Sequence, residues 1–360
     1  MKIDRKGYGR RVAALATAAV LVVMLVMLSA GRVEPVHAAA IAVTTTQDVV
    51  AADGFCSLRE ALINAANDDQ SGSNSCAPGV ESDVITFAVA GTILLDAPLP
   101  PVTGDVTLDG SGQPIIISGQ NSVAILSVTS GATLSVNALT IADGKTIGDG
   151  GAIANSGTLT VTKSTFTGNS ARYGGALFNQ AEMIVVNSTF HDNSAAFGGG
   201  VMNWMGASAE IGNSTLAENS ASSSGGGLYN AWLDGVGGTL TLFNTLLAGN
   251  TAGASGGDCV NAGGPFIVDA FNIDSDGSCL DATTYTLAQV KLGALADNGG
   301  STMTRALLEG SVAIDAGDNA HCPEEDQRGV ARAQGLGCDV GAYEVEKTTV
   351  DLYLPVIMRD

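Results

Sequence analysis

The chain has 360 residues, of which 45% are hydrophobic and 14% are charged, and its 36 acidic residues outnumber 16 basic ones. Residues 1–40 hold six of the basic and two of the acidic residues, which leaves 10 basic and 34 acidic groups, a formal charge of −24, in residues 41–360. A polyanion of this kind repels nucleic acid and anionic lipid, so no nucleic-acid partner is expected.

The first 40 residues have the composition of an export signal. An apolar run of 19 residues, 12–30, follows a basic segment that contains Lys2, Arg5, Lys6, Arg10 and Arg11. Small residues at Val36-His37-Ala38 and at Ala38-Ala39-Ala40 offer two alternative cleavage positions. We therefore predict a signal peptide over residues 1–40 and a secreted or cell-surface protein without a membrane span after cleavage. An uncleaved anchor is the alternative, because 19 apolar residues can also cross a bilayer.

Residues 41–83 contain a helix start signal. Ser57 followed three residues later by Glu60 is a capping box, which predicts a short helix from Leu58 to Asn67. Arg59 and Glu60 could in principle be catalytic, but capping and packing are the simpler roles for them.

Six cysteines form an even set in a chain that is predicted to be exported, which indicates disulfides. Fifteen pairings are possible, and short loops favour Cys56–Cys76, Cys259–Cys279 and Cys322–Cys338. A metal site is a weak alternative, since no two cysteines have zinc-finger spacing and His191 and His321 are the only histidines beyond residue 40.

A sequence repeat dictates the fold prediction. A glycine pair followed by an asparagine begins at residues 150, 174, 198, 225 and 256, so the successive starts are 24, 24, 27 and 31 residues apart. The extra residues fall after Asn203 and Asn230, which predicts longer loops at one corner. Glycine suits a corner that needs positive φ, and an asparagine amide can bond to its equivalent along a stack.

Each repeat also contains short alternating segments that predict strands. Ile153, the pair Leu159/Val161 and Phe166 mark three strands of one coil, and their side chains are expected to point inward. Stacked coils of about 24 residues would place like residues above one another in ladders. We therefore predict an all-β protein, a right-handed parallel β-helix over residues 84–270. Its single core should contain Phe166, Phe190, Leu216 and Leu247.

Motifs at the two ends resemble known families. Residues 56–61 read Cys-Ser-Leu-Arg-Glu-Ala, which matches the signature of the CSLREA domain of exported bacterial β-helix proteins. Residues 271–345 are similar to the choice-of-anchor Q domain, through segments 297–301, 311–318, 326–332 and 338–344. The repeats themselves are similar to those of polymorphic outer-membrane proteins. These resemblances imply export, a right-handed β-helix and cell-surface attachment, and they imply no activity.

The two ends should cap the β-helix, because an open stack exposes strand edges. Residues 41–83 would form the first cap, and residues 271–345 follow the last coil. The remaining tail, 346–360, is a terminal strand or an unrecognised sorting signal.

Two sets of acidic residues could carry chemistry. Asp192 and Glu218 occupy equivalent places on neighbouring coils, with His191 beside them, as a polysaccharide-cleaving enzyme would require. Only Lys163 and Arg172 supply basic groups in these coils, so we favour solvated corner carboxylates and no catalysis. A calcium site is a minor alternative for Asp143, Asp149, Asp315, Asp318 and Asp339. No cofactor is expected.

A set of large apolar side chains is the most distinctive candidate site. Phe178, Met202 and Tyr229 precede the repeat asparagines, and Trp204 and Trp232 follow in the longer loops. Exposed apolar patches mark binding surfaces, although the loops could instead bury the rings. The sequence predicts a surface scaffold that contacts glycans or other surface proteins. Its oligomeric state is left open, and a carbohydrate-active enzyme is the alternative.

Overall fold

The computed structural model describes residues 39–268, 271–279 and 281–347. Apart from Ala39 and Ala40, the predicted signal peptide lies outside the described residues, as does the predicted tail beyond Lys347. Among the helices of the described residues, none has the length and hydrophobicity needed to cross a bilayer.

Three parallel sheets wind around one core in the described residues, and the predicted parallel β-helix is confirmed. Sheet A contains, in spatial order, the strands Ala39–Val43, Ser82–Phe87, Asp105–Asp109, Thr133–Asn137, Thr158–Thr162, Glu182–Val186, Ser208–Gly212, Thr239–Phe243 and Phe266–Val268. Sheet B contains Gly91–Leu94, Ile115–Ser118, Thr140–Ala142, Thr165–Thr167, Thr189–His191, Thr215–Ala217, Leu246–Ala248, Ile273–Asp274 and Thr283–Thr284. Sheet C contains Leu126–Val128, Ile153–Asn155, Leu177–Asn179, Val201–Asn203, Leu228–Asn230 and Cys259–Asn261.

Smaller elements decorate this stack. A further parallel sheet at one corner comprises Ser194–Phe197, Ser220–Ser224 and Thr251–Ala252. Two antiparallel hairpins pair Trp232–Leu233 with Val236–Gly237, and Leu292–Ala296 with Thr304–Leu307. The described helices are Leu58–Asn67 and Leu287–Val290, with one 3-10 turn, Asn319–His321. Parallel strand pairing therefore extends beyond both ends of residues 84–270, the range predicted for the β-helix.

The core is built from ladders of like side chains. Phe166 pairs with Phe190 in register, and their rings stack in parallel with centroids 4.9 Å apart. Leu216 and Leu247 continue this ladder in the same buried cluster. The predicted single core is therefore confirmed, and it follows from a backbone that returns to the same position once per repeat.

Glycine and asparagine make the corners possible. Gly174 has φ of +61°, which is a left-handed conformation, and a Cβ atom on Gly175 would lie only 2.1 Å from the carbonyl oxygen of Gly199. The side-chain amide of each repeat asparagine donates to the next one, from Asn179 to Asn203 at 2.8 Å and from Asn203 to Asn230 at 2.8 Å. These buried amides lock adjacent coils together.

The first coil is closed by the predicted helix. Leu58–Asn67 begins at Ser57 with the complete capping box, and its apolar face packs into the main core. Arg59 forms a bidentate ion pair with Asp48, and Glu60 accepts hydrogen bonds from the backbone of Ser57 and Ala51. Both residues are thus engaged in capping and packing.

The three favoured disulfides, Cys56–Cys76, Cys259–Cys279 and Cys322–Cys338, are the ones in the structure. Each closes a short loop, with sequence separations of 20, 20 and 16 residues. They tie the capping helix, the last coil and the C-terminal segment to their neighbours.

Residues 287–347, here called the strap, lie along the outer face of sheet B instead of only following the last coil. The strap meets a row of outward threonines: Thr165 donates to the carbonyl of Met303, Thr189 donates to Gln327, and Thr215 accepts from the backbone of Ala342. These hydroxyls are buried and in register, so they offer a regular set of hydrogen-bonding partners. That row explains why the segment folds back.

Candidate functional site

The predicted apolar residues come together at the corner that follows sheet C. Phe178, Met202 and Tyr229 lie in register on three adjacent strands of this sheet. Trp204 follows in the next connection, and its ring centroid lies 5.6 Å from that of Phe178. Trp232 opens the exposed hairpin. We call these five residues, together with their neighbours Tyr173 and Phe197, the aromatic surface.

The aromatic surface is layered. Phe178 and Met202 are buried, Tyr229 and Trp204 are half-buried, and Trp232 is 48% exposed. The longer loops therefore cover the inner side chains but leave the outer rings accessible. The predicted residues are therefore neither all buried nor all exposed.

Two further aromatic residues belong to the surface and were missed by the sequence prediction. Tyr173 and Phe197 stand immediately before glycine pairs, and their rings lie 5.9 Å apart. Tyr173 also contacts Trp204 at 5.8 Å, and Phe197 meets Tyr229 edge-on at 5.3 Å. Alignment of the position before each glycine pair would have revealed them, because those positions pair along the stack.

A small open cavity lies among these rings. Its volume is about 170 Å³, and its walls include Tyr173, Phe197, Trp204, Tyr229 and Trp232. Its rim continues into the hairpin, where Leu233 and Val236 are 51% and 50% exposed. The cavity and the hairpin thus form one apolar surface that is accessible to solvent in part.

Few charges reach the aromatic surface. The guanidinium of Arg172 lies 4.9 Å from the centroid of the Tyr173 ring, an arrangement typical of a cation–π contact. Burial raises the pKa of the Tyr229 hydroxyl above its ordinary value, so this group remains a neutral donor at physiological pH.

One of the two acidic residues considered for catalysis, Glu218, forms an ion pair with a basic residue of the strap. Asp192 and Glu218 occupy matching left-handed corners of adjacent coils. Glu218 forms an ion pair at 2.8 Å with Arg305 of the strap and lies 3.8 Å from Nδ1 of His191. Burial, with help from Arg305, lowers the pKa of His191, so its imidazole is neutral near pH 7.

This arrangement explains what Glu218 does. The Arg305 guanidinium is almost fully buried and also donates to the carbonyl of Gly293, so Glu218 neutralises a cation that anchors the strap. The sequence prediction missed Arg305 because it lies about 90 residues further along the chain.

Four of the five calcium candidates are engaged with other groups, and the first of them, Asp143, accepts a hydrogen bond from the Ser118 hydroxyl. Asp315 pairs with Lys347 at 2.6 Å, Asp318 contacts His321, and Asp339 accepts from the backbone of Asp315. In the part of the chain that the structure describes, no three acidic, histidine or cysteine side chains form a group able to hold a metal ion.

No protein-family model matches the chain, and no curated protein matches it significantly.

Proposed function

We propose that this protein is an exported surface scaffold, resembling CSLREA and choice-of-anchor Q proteins, and that its aromatic surface binds glycans. The β-helix fold is consistent with surface and scaffold proteins, and three disulfides favour an oxidising, extracellular location. The observation that carries the binding proposal is the accessible outer layer, above all Trp232 at 48% exposure beside an open aromatic cavity.

Neutral glycans suit this surface better than other partners. The formal charge of −24 in residues 41–360 repels acidic ligands. Sugar rings present apolar C–H faces to aromatic rings and hydroxyls to groups such as Tyr229. A protein partner commonly buries about 800 Å² on each side, whereas the cavity here is small, with a volume of about 170 Å³.

The test is binding of purified protein to a glycan array, followed by titration of each hit. We expect Trp232→Ala to weaken binding at least tenfold, since aromatic anchors contribute most of the energy at such sites. Phe55→Ala is the matched control, because Phe55 is 54% exposed but belongs to the N-terminal cap. Equal affinity for both variants, or an array without hits, contradicts the proposal.

The second candidate is a carbohydrate-active enzyme that uses Asp192 and Glu218. The specific observation in its favour is the neutral imidazole of His191 near Glu218. Cleavage of a polysaccharide panel by the wild type, abolished in both Asp192→Asn and Glu218→Gln, would establish it. We expect no such cleavage, because Glu218 is committed to Arg305.

A further inference from the structure

An unusual carboxylate lies at the edge of the first coil. Asp83 is only 2% exposed, and within the described residues its carboxylate accepts one hydrogen bond, at 3.1 Å from the backbone of Val80. No basic side chain of the described ranges forms an ion pair with it, and the charge of another acid, Asp68, acts on it unfavourably. Burial raises the pKa of Asp83 above its ordinary value. A buried acid of this kind is costly without a cation.

The backbone next to Asp83 belongs to the first residue of the first strand. Ala39–Val43 pairs with Ser82–Phe87 in parallel, and the register sets Ala39 opposite Asp83. Neighbouring strands are about 4.8 Å apart, so the backbone of Ala39 lies about one strand spacing from that of Asp83, which is close enough for an amine at Ala39 to approach the carboxylate. In the intact chain this nitrogen is a neutral amide.

We propose that export cleaves the Ala38–Ala39 bond, and that the new α-ammonium group of Ala39 forms an ion pair with Asp83. The inference rests on the proposed export. Water adds across the peptide bond: its hydroxyl joins the carbonyl carbon of Ala38, its hydrogen joins the nitrogen of Ala39, and the resulting amine takes a proton from solvent. Val36 and Ala38 are the small residues that a signal peptidase requires at this position.

The alternative position, after Ala40, fits the structure less well. It would remove Ala39 and Ala40, both of which are paired in sheet A. It would also place the new charge on Ile41, which is fully buried and lies opposite Ile85 in the apolar core. An ammonium group there has no acidic partner in the register and loses its hydration.

The first experiment identifies the cleavage position. The full chain is expressed in an export-competent bacterium, and the secreted protein is analysed by N-terminal sequencing and intact mass. We expect Ala39 as the first residue. A secreted protein that begins at Ile41 overturns this inference and leaves export intact, whereas a chain that is never exported overturns the proposed function itself.

The second experiment tests the ion pair independently of export. Chains 39–360 and 38–360 are released from a cleavable fusion, each with and without Asp83→Asn, and the acylation rate of the α-amine is measured at pH 8. An acid 4–6 Å away raises an amine pKa by about one unit, which at pH 8 lowers the neutral fraction of the amine about four- to fivefold, so we expect acylation of chain 39–360 to be slower than in its Asp83→Asn variant by about that factor.

Chain 38–360 is the control, because its amine is displaced by one residue, about 3.3 Å. There the effect of Asp83→Asn should largely vanish. The denaturant midpoint of chain 39–360 should also fall between pH 7 and pH 10, as the ammonium loses its proton, more than that of chain 38–360. Identical rates and midpoints in the two chains would refute the ion pair.

Discussion

Replacing Asn203 with alanine should reveal how much the asparagine ladder contributes to stability. Asn203 is fully buried in the middle of the ladder. Its amide donates to Asn230 at 2.8 Å and to the carbonyl of Thr239 at 3.0 Å, and its oxygen accepts from Asn179 at 2.8 Å. The Asn203→Ala variant leaves the buried oxygen of Asn230 and the part-buried carbonyl of Thr239 without this donor.

The magnitude follows from these contacts. A buried acceptor left without its donor costs about 1–3 kcal/mol and a part-buried one costs less, so the free energy of unfolding should fall by roughly 2–4 kcal/mol. Water cannot compensate readily, because neighbouring coils close over the site. Guanidinium unfolding followed by circular dichroism measures the loss, and an unchanged slope would show that the same surface unfolds.

Asn261→Ala is the matched control at the end of the ladder. Asn261 is half-buried, and Asn230 keeps its bond to the carbonyl of Gly238 at 2.8 Å when Asn261 is truncated. Solvent can also replace the lost amide, so we expect a cost of about 1 kcal/mol or less. Equal losses for the two variants would refute the reasoning that burial within the ladder determines its contribution.

Two further predictions concern the strap. Gln327→Ala removes hydrogen bonds with Thr165 and Thr189, so amide exchange should accelerate in residues 287–347 but not in sheet C; uniform acceleration would contradict this. Burial, reinforced by Glu344 and Asp315, raises the pKa of Asp339 from 3.8 to about 6. The folded chain therefore binds this proton more tightly than the unfolded chain, and the free energy of unfolding should decline by about 2 kcal/mol as pH rises from 4 to 6. Denaturant titrations should show that Asp339→Asn lacks this decline, and parallel pH profiles would count against it.

The repeat-based part of the fold could be predicted because its information is local and recurs. The glycine pairs set the coil length, and the alternating apolar residues set the inward faces. The sequence alone therefore assigns four residues to one core: Phe166, Phe190, Leu216 and Leu247. The capping helix and the disulfides could be predicted equally well, because the capping box and each cysteine pair lie within about 20 residues of sequence.

The strap and its contacts could not be predicted in this way. Arg305 meets Glu218, and Gln327 meets Thr189, across long stretches of sequence that have no repeat to align. Hydroxyls on the outside of sheet B are also compatible with solvent, so their sequence pattern does not reveal that another segment covers them. Tyr173 and Phe197 were not predicted for a simpler reason. The equivalent position in other coils is Asp or Ser, so no repeated aromatic residue marks it.

The aromatic surface lies at the corner where the longer repeats carry their loop insertions. The longer repeats add their extra residues after Asn203 and Asn230, yet the registers of the following strands in sheet A are unbroken, as Ala209 pairs with both Met183 and Leu240. Insertions at this corner therefore leave the ladders intact, whereas the outer face of sheet B is covered by the strap. Because Trp232 lies on an exposed hairpin outside the core, its replacement should cost little stability, whereas Trp204 packs against Phe178 and Tyr173. The corner after sheet C is thus a place where an exposed side chain of this β-helix can change without changing the fold.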